Sequence, residues 1–144
     1  MGYKSDIRIS LSKKSYKELR NFVVDYLHNH KREDGTEYPN LLDMVDIQEE
    51  NSRQVYLGWN NLKWYEDDFI DVQAIMKGLD YLENHDLSFS YARMGESYGD
   101  YDENFNDGKD IEEGNYLEGP SINWSFDDDY TEYLMHENDK EKEL

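Results

Sequence analysis

The sequence contains no cysteine, which excludes disulfides and thiolate chemistry and leaves the redox compartment open, with a cytosolic protein compatible. No apolar run approaches the ~18 residues a membrane span requires, so no contact with a bilayer is expected. The opening Met1-Gly2-Tyr3-Lys4-Ser5-Asp6 lacks the apolar segment of an export signal. It also carries aspartate where a myristoylation pattern wants Ser or Thr. Basic residues are scarce beyond the first quarter of the chain. Residues 1–32 hold eight Lys/Arg against three Asp/Glu, the other 112 hold seven against thirty-one, and the whole carries −19. Such an imbalance penalises compaction by self-repulsion, and the simplest compensation is a basic partner of the kind that holds nucleic acid. Aromatics are not scarce. Thirteen Tyr, five Phe and three Trp mark a folded body, because disordered chains are poor in them.

Asp6 to Leu11 alternates apolar and polar residues, as a strand with one buried face does. Ser12 is placed to cap a helix running to about His30, whose apolar positions Tyr16, Leu19, Phe22, Val23, Tyr26 and Leu27 recur at helical spacing. Residues 31–40 read as a loop, and Asp43–Glu50 and Gln54–Lys63 as a hairpin turning at Asn51-Ser52-Arg53. Asp67 or Asp68 is expected to open a second helix with the stripe Phe69, Val72, Ile75, Met76, Leu79 and Leu82, interrupted by Gly78. Leu87–Met94 is a fourth strand. The order βαββαβ predicts an α+β, ferredoxin-like sandwich, two helices on one face of a sheet in the order 4-1-3-2. One domain is expected over residues 1–126, with a long acidic loop at 96–115. A short additional strand at Ile122, Trp124 and Phe126 and an acidic tail at 127–144 complete the chain.

Three acidic sets stand out. The first is Asp100, Asp102, Glu103, Asp107, Asp110, Glu112 and Glu113; the second Glu66, Asp67, Asp68 and Asp71; the third Asp127, Asp128, Asp129 and Glu132. Carboxylates on one face of a strand or helix lie roughly 5–7 Å apart, close enough together to engage a lysine and arginine array that normally holds phosphates. Tyr98, Tyr101, Phe105, Tyr116 and Tyr130 are interleaved among them and supply rigid contact area, or else pack the loop onto the domain. If the loop substitutes for phosphates, neutralising Asp100, Asp102, Glu103, Asp107 and Asp110 leaves the fold intact and weakens a partner interaction. The alternative is a solvated charged loop.

Other chemistries find less. Asp102, Asn104, Asn106 and Glu113 imitate calcium-loop positions, but the glycine falls one place late, so only weak calcium binding is expected. His28, His30, His85 and His136 are scattered and form no ligand pair, so no metal site or cofactor is expected. No nucleophile motif or phosphate loop occurs. The basic cluster Lys13, Lys14, Lys17 and Arg20 is outweighed by the overall field, which repels phosphate, so direct nucleic-acid binding is not expected.

The segments Trp59-Asn60-Asn61-Leu62-Lys63-Trp64-Tyr65, Asp71-Val72-Gln73-Ala74-Ile75 and Arg93-Met94-Gly95-Glu96 resemble small acidic phage and prophage proteins over residues 55–115. The resemblance implies an anti-CRISPR or anti-restriction inhibitor. Such a protein is a non-enzymatic DNA mimic acting in the bacterial cytoplasm on a CRISPR effector or restriction nuclease. It transfers no catalytic residue. The readings set against it are a phage structural or assembly protein and a weak calcium-binding module.

Overall fold

The computed structural model describes residues 2–112 and 114–143, with side chains to residue 137. Strand β1 (Ser5–Ser12) runs straight into helix α1 (Lys13–Asn29), because the Ser12 hydroxyl accepts from the Ser15 N–H at 3.0 Å and so caps the first turn. A single 3₁₀ turn at Leu41–Asp43 precedes β2 (Ile47–Glu50) and β3 (Gln54–Leu62). Between them Asn51 closes the hairpin by accepting from the Arg53 and Gln54 N–H groups. Helix α2 (Ile70–Asn84), β4 (Phe89–Gly95), β5 (Tyr101–Asn106) and helix α3 (Asp128–Glu143) follow. Helix α2 starts at Ile70, later than Asp67 or Asp68. Those two aspartates lie in a turn whose Asp68 and Phe69 N–H groups both donate to the Tyr65 carbonyl.

The strands form one open, antiparallel sheet in an α+β fold, in the order β2-β3-β1-β4-β5. Each of the first two helices therefore joins strands separated by one neighbour. On one face Ile7, Ile9 and Leu11 of β1 stand beside Leu57 and Val55 of β3 and Tyr91 and Phe89 of β4, under the buried Leu19, Val23, Ile75 and Leu79 of the helices. Met76 of the apolar stripe is half-buried and packs against this core. Gly78 lets α1 pack closely on α2: a Cβ there would run into the Leu19 side chain and come within 3.3 Å of Phe22.

The other face is polar in sequence yet buried in fact. Arg8, Ser10, Ser12 and Gln54 are all covered by the C-terminal part of the chain. The Ser10 hydroxyl and the Gln54 amide both donate to the Glu118 carbonyl, and the Glu118 N–H donates back to Gln54. Thr131 and Met135 of α3 are fully buried on this side, and the Asn51 amide donates to the Met135 carbonyl at 2.8 Å. Short polar side chains read as a solvent face until their backbone partners are known, because sequence does not show where a distant carbonyl will sit.

Two expectations are corrected here. Residues 96–115 are not one loop, since Tyr101–Asn106 forms β5, paired along β4 from Met94↔Tyr101 to Phe89↔Asn106. Its acids are tolerated because Asp102 stands opposite Arg93, a favourable cross-strand pair. Nor do Ile122, Trp124 and Phe126 join the sheet. Ile122 and Phe126 bridge only to each other, so the segment doubles back tightly and lifts Trp124 to its tip.

Candidate acidic and aromatic interaction surface

The β4–β5 edge gathers the features singled out in the sequence. Its turn closes with the Gly95 N–H donating to the Asp100 carbonyl at 2.8 Å, and Gly99 takes φ +79°, a left-handed conformation that glycine adopts without a Cβ penalty. Beneath the turn Arg93 binds Asp100 Oδ1 at 2.8 Å and Asp102 Oδ2 at 2.8 and 2.9 Å, and it donates to Ser5 Oγ at 3.0 Å. The Tyr3 hydroxyl adds a 2.5 Å bond to Asp100. These contacts, Arg93 first and Tyr3 second, hold the Asp100 carboxyl below the usual range. Burial works against the Arg93 charge, but its bonds to Asp100 and Asp102 prevail and raise its pKa.

One guanidinium does not neutralise this region. Glu66 is pushed above the ordinary carboxyl range first by burial and then by the charge of Asp102, with Asp67 and Asp80 adding to it and Arg93 opposing. Burial is the larger cause, and the smaller part that comes from Asp102, Asp67 and Asp80 reflects carboxylates gathered around one guanidinium, which a cationic group from outside would relieve.

The opposite side of the same edge is aromatic. Tyr101, Glu103 and Phe105 alternate onto one face of β5 and are exposed. Tyr98 at the turn is 93% exposed and Trp124 on the neighbouring segment 81%. Tyr98, Tyr101 and Trp124 line a groove of about 420 Å³ together with Met94, Glu96 and Ile122. Tyr101 and Phe105 are partly covered, whereas Tyr98 and Trp124 stand almost free of the domain.

The remaining acids separate by role. Asp110 is half-buried and tied into the fold: its carboxylate accepts from the Ser88 N–H at 2.9 Å, the Ser88 hydroxyl at 2.7 Å, and the Ser12 and Ser15 hydroxyls at the start of α1. Asp127 caps α3 by accepting from the Tyr130 N–H at 3.0 Å. Asp128 is the partner of buried Arg8, whose N–H groups reach Asp128 at 2.8 and 3.0 Å, Asn60 at 2.7 Å and the Ile7 and Trp59 carbonyls. Phe126 stacks on that guanidinium, with its ring centroid 5.0 Å away. Gly58 lies opposite Arg8 on β3, where a Cβ would come within 2.9 Å of the guanidinium. Glu103, Asp107, Glu112 and Asp129 are exposed, and Glu113 lies outside the described residues. Thus Tyr98, Tyr101, Asp100, Asp102 and Glu103 come together, whereas Asp110, Asp127 and Asp128 serve the fold. The part of Trp124 was missed, although the turn formers Gly119, Pro120, Asn123 and Ser125 around it were legible.

Asp102, Asn104 and Asn106 lie along extended β5, with Asp102 held by Arg93 and the Asn106 amide donating to the Leu87 carbonyl. An extended strand spaces such side chains out rather than wrapping them round an ion. Calcium titrated into the protein is therefore expected to show weak, unsaturable binding by calorimetry; saturation at one equivalent in the micromolar range would refute this. No helix among the described residues is long and apolar enough to cross a membrane. Comparison with protein-family models, curated proteins and solved structures finds no match to this chain.

Proposed function

We propose that this chain is a non-enzymatic, phage-derived inhibitor. It presents the β4–β5 edge to the basic DNA-binding surface of a host defence nuclease in the bacterial cytoplasm, with a CRISPR effector as the first candidate. The carrying observation is the composition of that edge: Asp100, Asp102, Glu66 and Asp67 crowd one Arg93 on one side, and exposed Tyr98, Tyr101, Phe105 and Trp124 occupy the other. Carboxylates there would meet the Arg and Lys groups that otherwise contact phosphates and base edges, and the rings would supply desolvated anchors. The −19 charge supports fast, steered encounter with a basic surface. In this reading β1 to β4 with α1 and α2 form a ferredoxin-like unit, extended by β5 to carry the binding edge.

Exposed Trp124 and Tyr98 also favour a second reading, an assembly protein that uses an apolar contact. Salt separates the two. With purified CRISPR effector and restriction nucleases and labelled duplex DNA, mimicry predicts displacement of the DNA and an affinity that falls steeply between low and physiological salt. Binding that is indifferent to salt and leaves the DNA in place would favour the assembly role.

A further inference from the structure

Helix α3 and strand β2 bring three potential ligands together far from the β4–β5 edge. Glu49 of β2 and Glu132 and His136 of α3 place a carboxylate oxygen each and an imidazole nitrogen within 4.8 Å of one another, all half-buried. Glu132 and His136 are four residues apart and so share a helix face, with Glu132 Oε1 3.9 Å from His136 Nε2. That face is anchored. Met135, between them in sequence, is fully buried, and its carbonyl accepts from the Asn51 amide at the start of the β2–β3 turn.

We infer that Glu49, Glu132 and His136 bind one first-row transition-metal ion, with zinc as the test case. Zinc takes carboxylate oxygen and imidazole nitrogen at about 2.0–2.2 Å in a tetrahedron, which places its ligand atoms roughly 3.3–3.6 Å apart. The three side chains need only small rotamer adjustments from their present spacing to reach it, and the half-exposed position leaves water as the fourth ligand. Charge points the same way. Among the described residues no Lys or Arg forms an ion pair with Glu49 or Glu132, so two carboxylates and an imidazole converge in a −19 chain. An imidazole in the set selects zinc and its neighbours over calcium and magnesium, which prefer oxygen alone. The bound ion would clip α3 to the short edge strand β2 and so secure the cover over the polar face of the sheet. This inference is independent of the proposed partner, which meets the opposite edge.

The test is calorimetry with zinc chloride and the untagged full chain. One saturable equivalent is expected, together with a rise in melting temperature. Glu49→Gln and His136→Gln should each weaken binding at least about tenfold, since even outer-shell partners of metal ligands are worth that much. Each should also abolish the thermal shift. Glu49→Gln relieves local charge and His136→Gln keeps a polar side chain at a half-buried position, so both are expected to keep the circular dichroism spectrum of the parent without metal. Should one fail to fold, Glu132→Gln takes its place. Absence of saturable zinc binding, equal affinity in the parent and the variants, or one-equivalent calcium binding lost in the same variants would overturn the assignment.

Discussion

Trp124→Ala is expected to weaken binding to the target nuclease about thirtyfold, the ~2 kcal/mol typical of a truncated aromatic anchor, without changing the melting temperature. The ring is exposed and packs nothing interior, so its removal takes contact area from the partner alone. Adding Glu103→Gln and Asp107→Gln should lower the affinity further and make its dependence on salt shallower, because fewer opposed charges are brought together. Both carboxylates are exposed, so the unfolding midpoint should hold or rise as self-repulsion falls. The five-residue neutralisation suggested by the sequence behaves differently once Asp110 is included. Asp110→Asn points an amide NH₂ at hydroxyl and N–H groups that now donate to a carboxylate, and the start of α1 loses its anchor. A binding titration beside a thermal melt separates the two classes. If Trp124→Ala and the Glu103/Asp107 variant both bind like the parent, with the same salt slope, this edge is not the interface.

The largest effect on stability is expected from Arg8→Met, at about 3 kcal/mol, the lower end for breaking a buried ion pair. The lower end applies because the Asp128 side chain keeps 28% of its exposure while Arg8 keeps 4%. The variant strands the Asp128 carboxylate beside the Tyr56 hydroxyl and leaves the Ile7 and Trp59 carbonyls without their guanidinium donor. Combining it with Asp128→Asn should restore part of the loss, since no uncompensated charge then remains. The effect also carries a pH signature. Burial raises the Asp128 pKa, but the bonds from Arg8 and then Tyr56 outweigh it and leave the group below the ordinary carboxyl value. A carboxyl depressed in the folded state stabilises fully above its unfolded pKa of about 3.9, and that contribution is lost as pH falls through the lower folded value. Urea midpoints of parent and Arg8→Met should therefore differ most near neutrality and converge in acid. A difference that persists unchanged at pH 2 would show that packing, not the ion pair, carries the effect.

Much of this architecture was legible without coordinates, for local reasons. Alternation in Asp6–Leu11, the Ser12 cap and the apolar stripes of α1 and α2 follow from the periods of strand and helix, which any window of sequence displays. The acidic character, the interleaved aromatics and the absence of cysteine are likewise properties of composition. Tertiary structure alone decided what each acid does. Asp110 and Asp128 look like Glu103 and Asp107 in sequence, yet two are held by hydrogen-bond donors up to 120 residues away and two face solvent. It also decided that Tyr101–Asn106 is a strand, since it pairs along β4 where Asp102 stands opposite Arg93, and that Glu49 meets Glu132 and His136. Local propensity is written in neighbouring residues, whereas the fate of a charge depends on which distant groups the topology brings within about 3 Å of it.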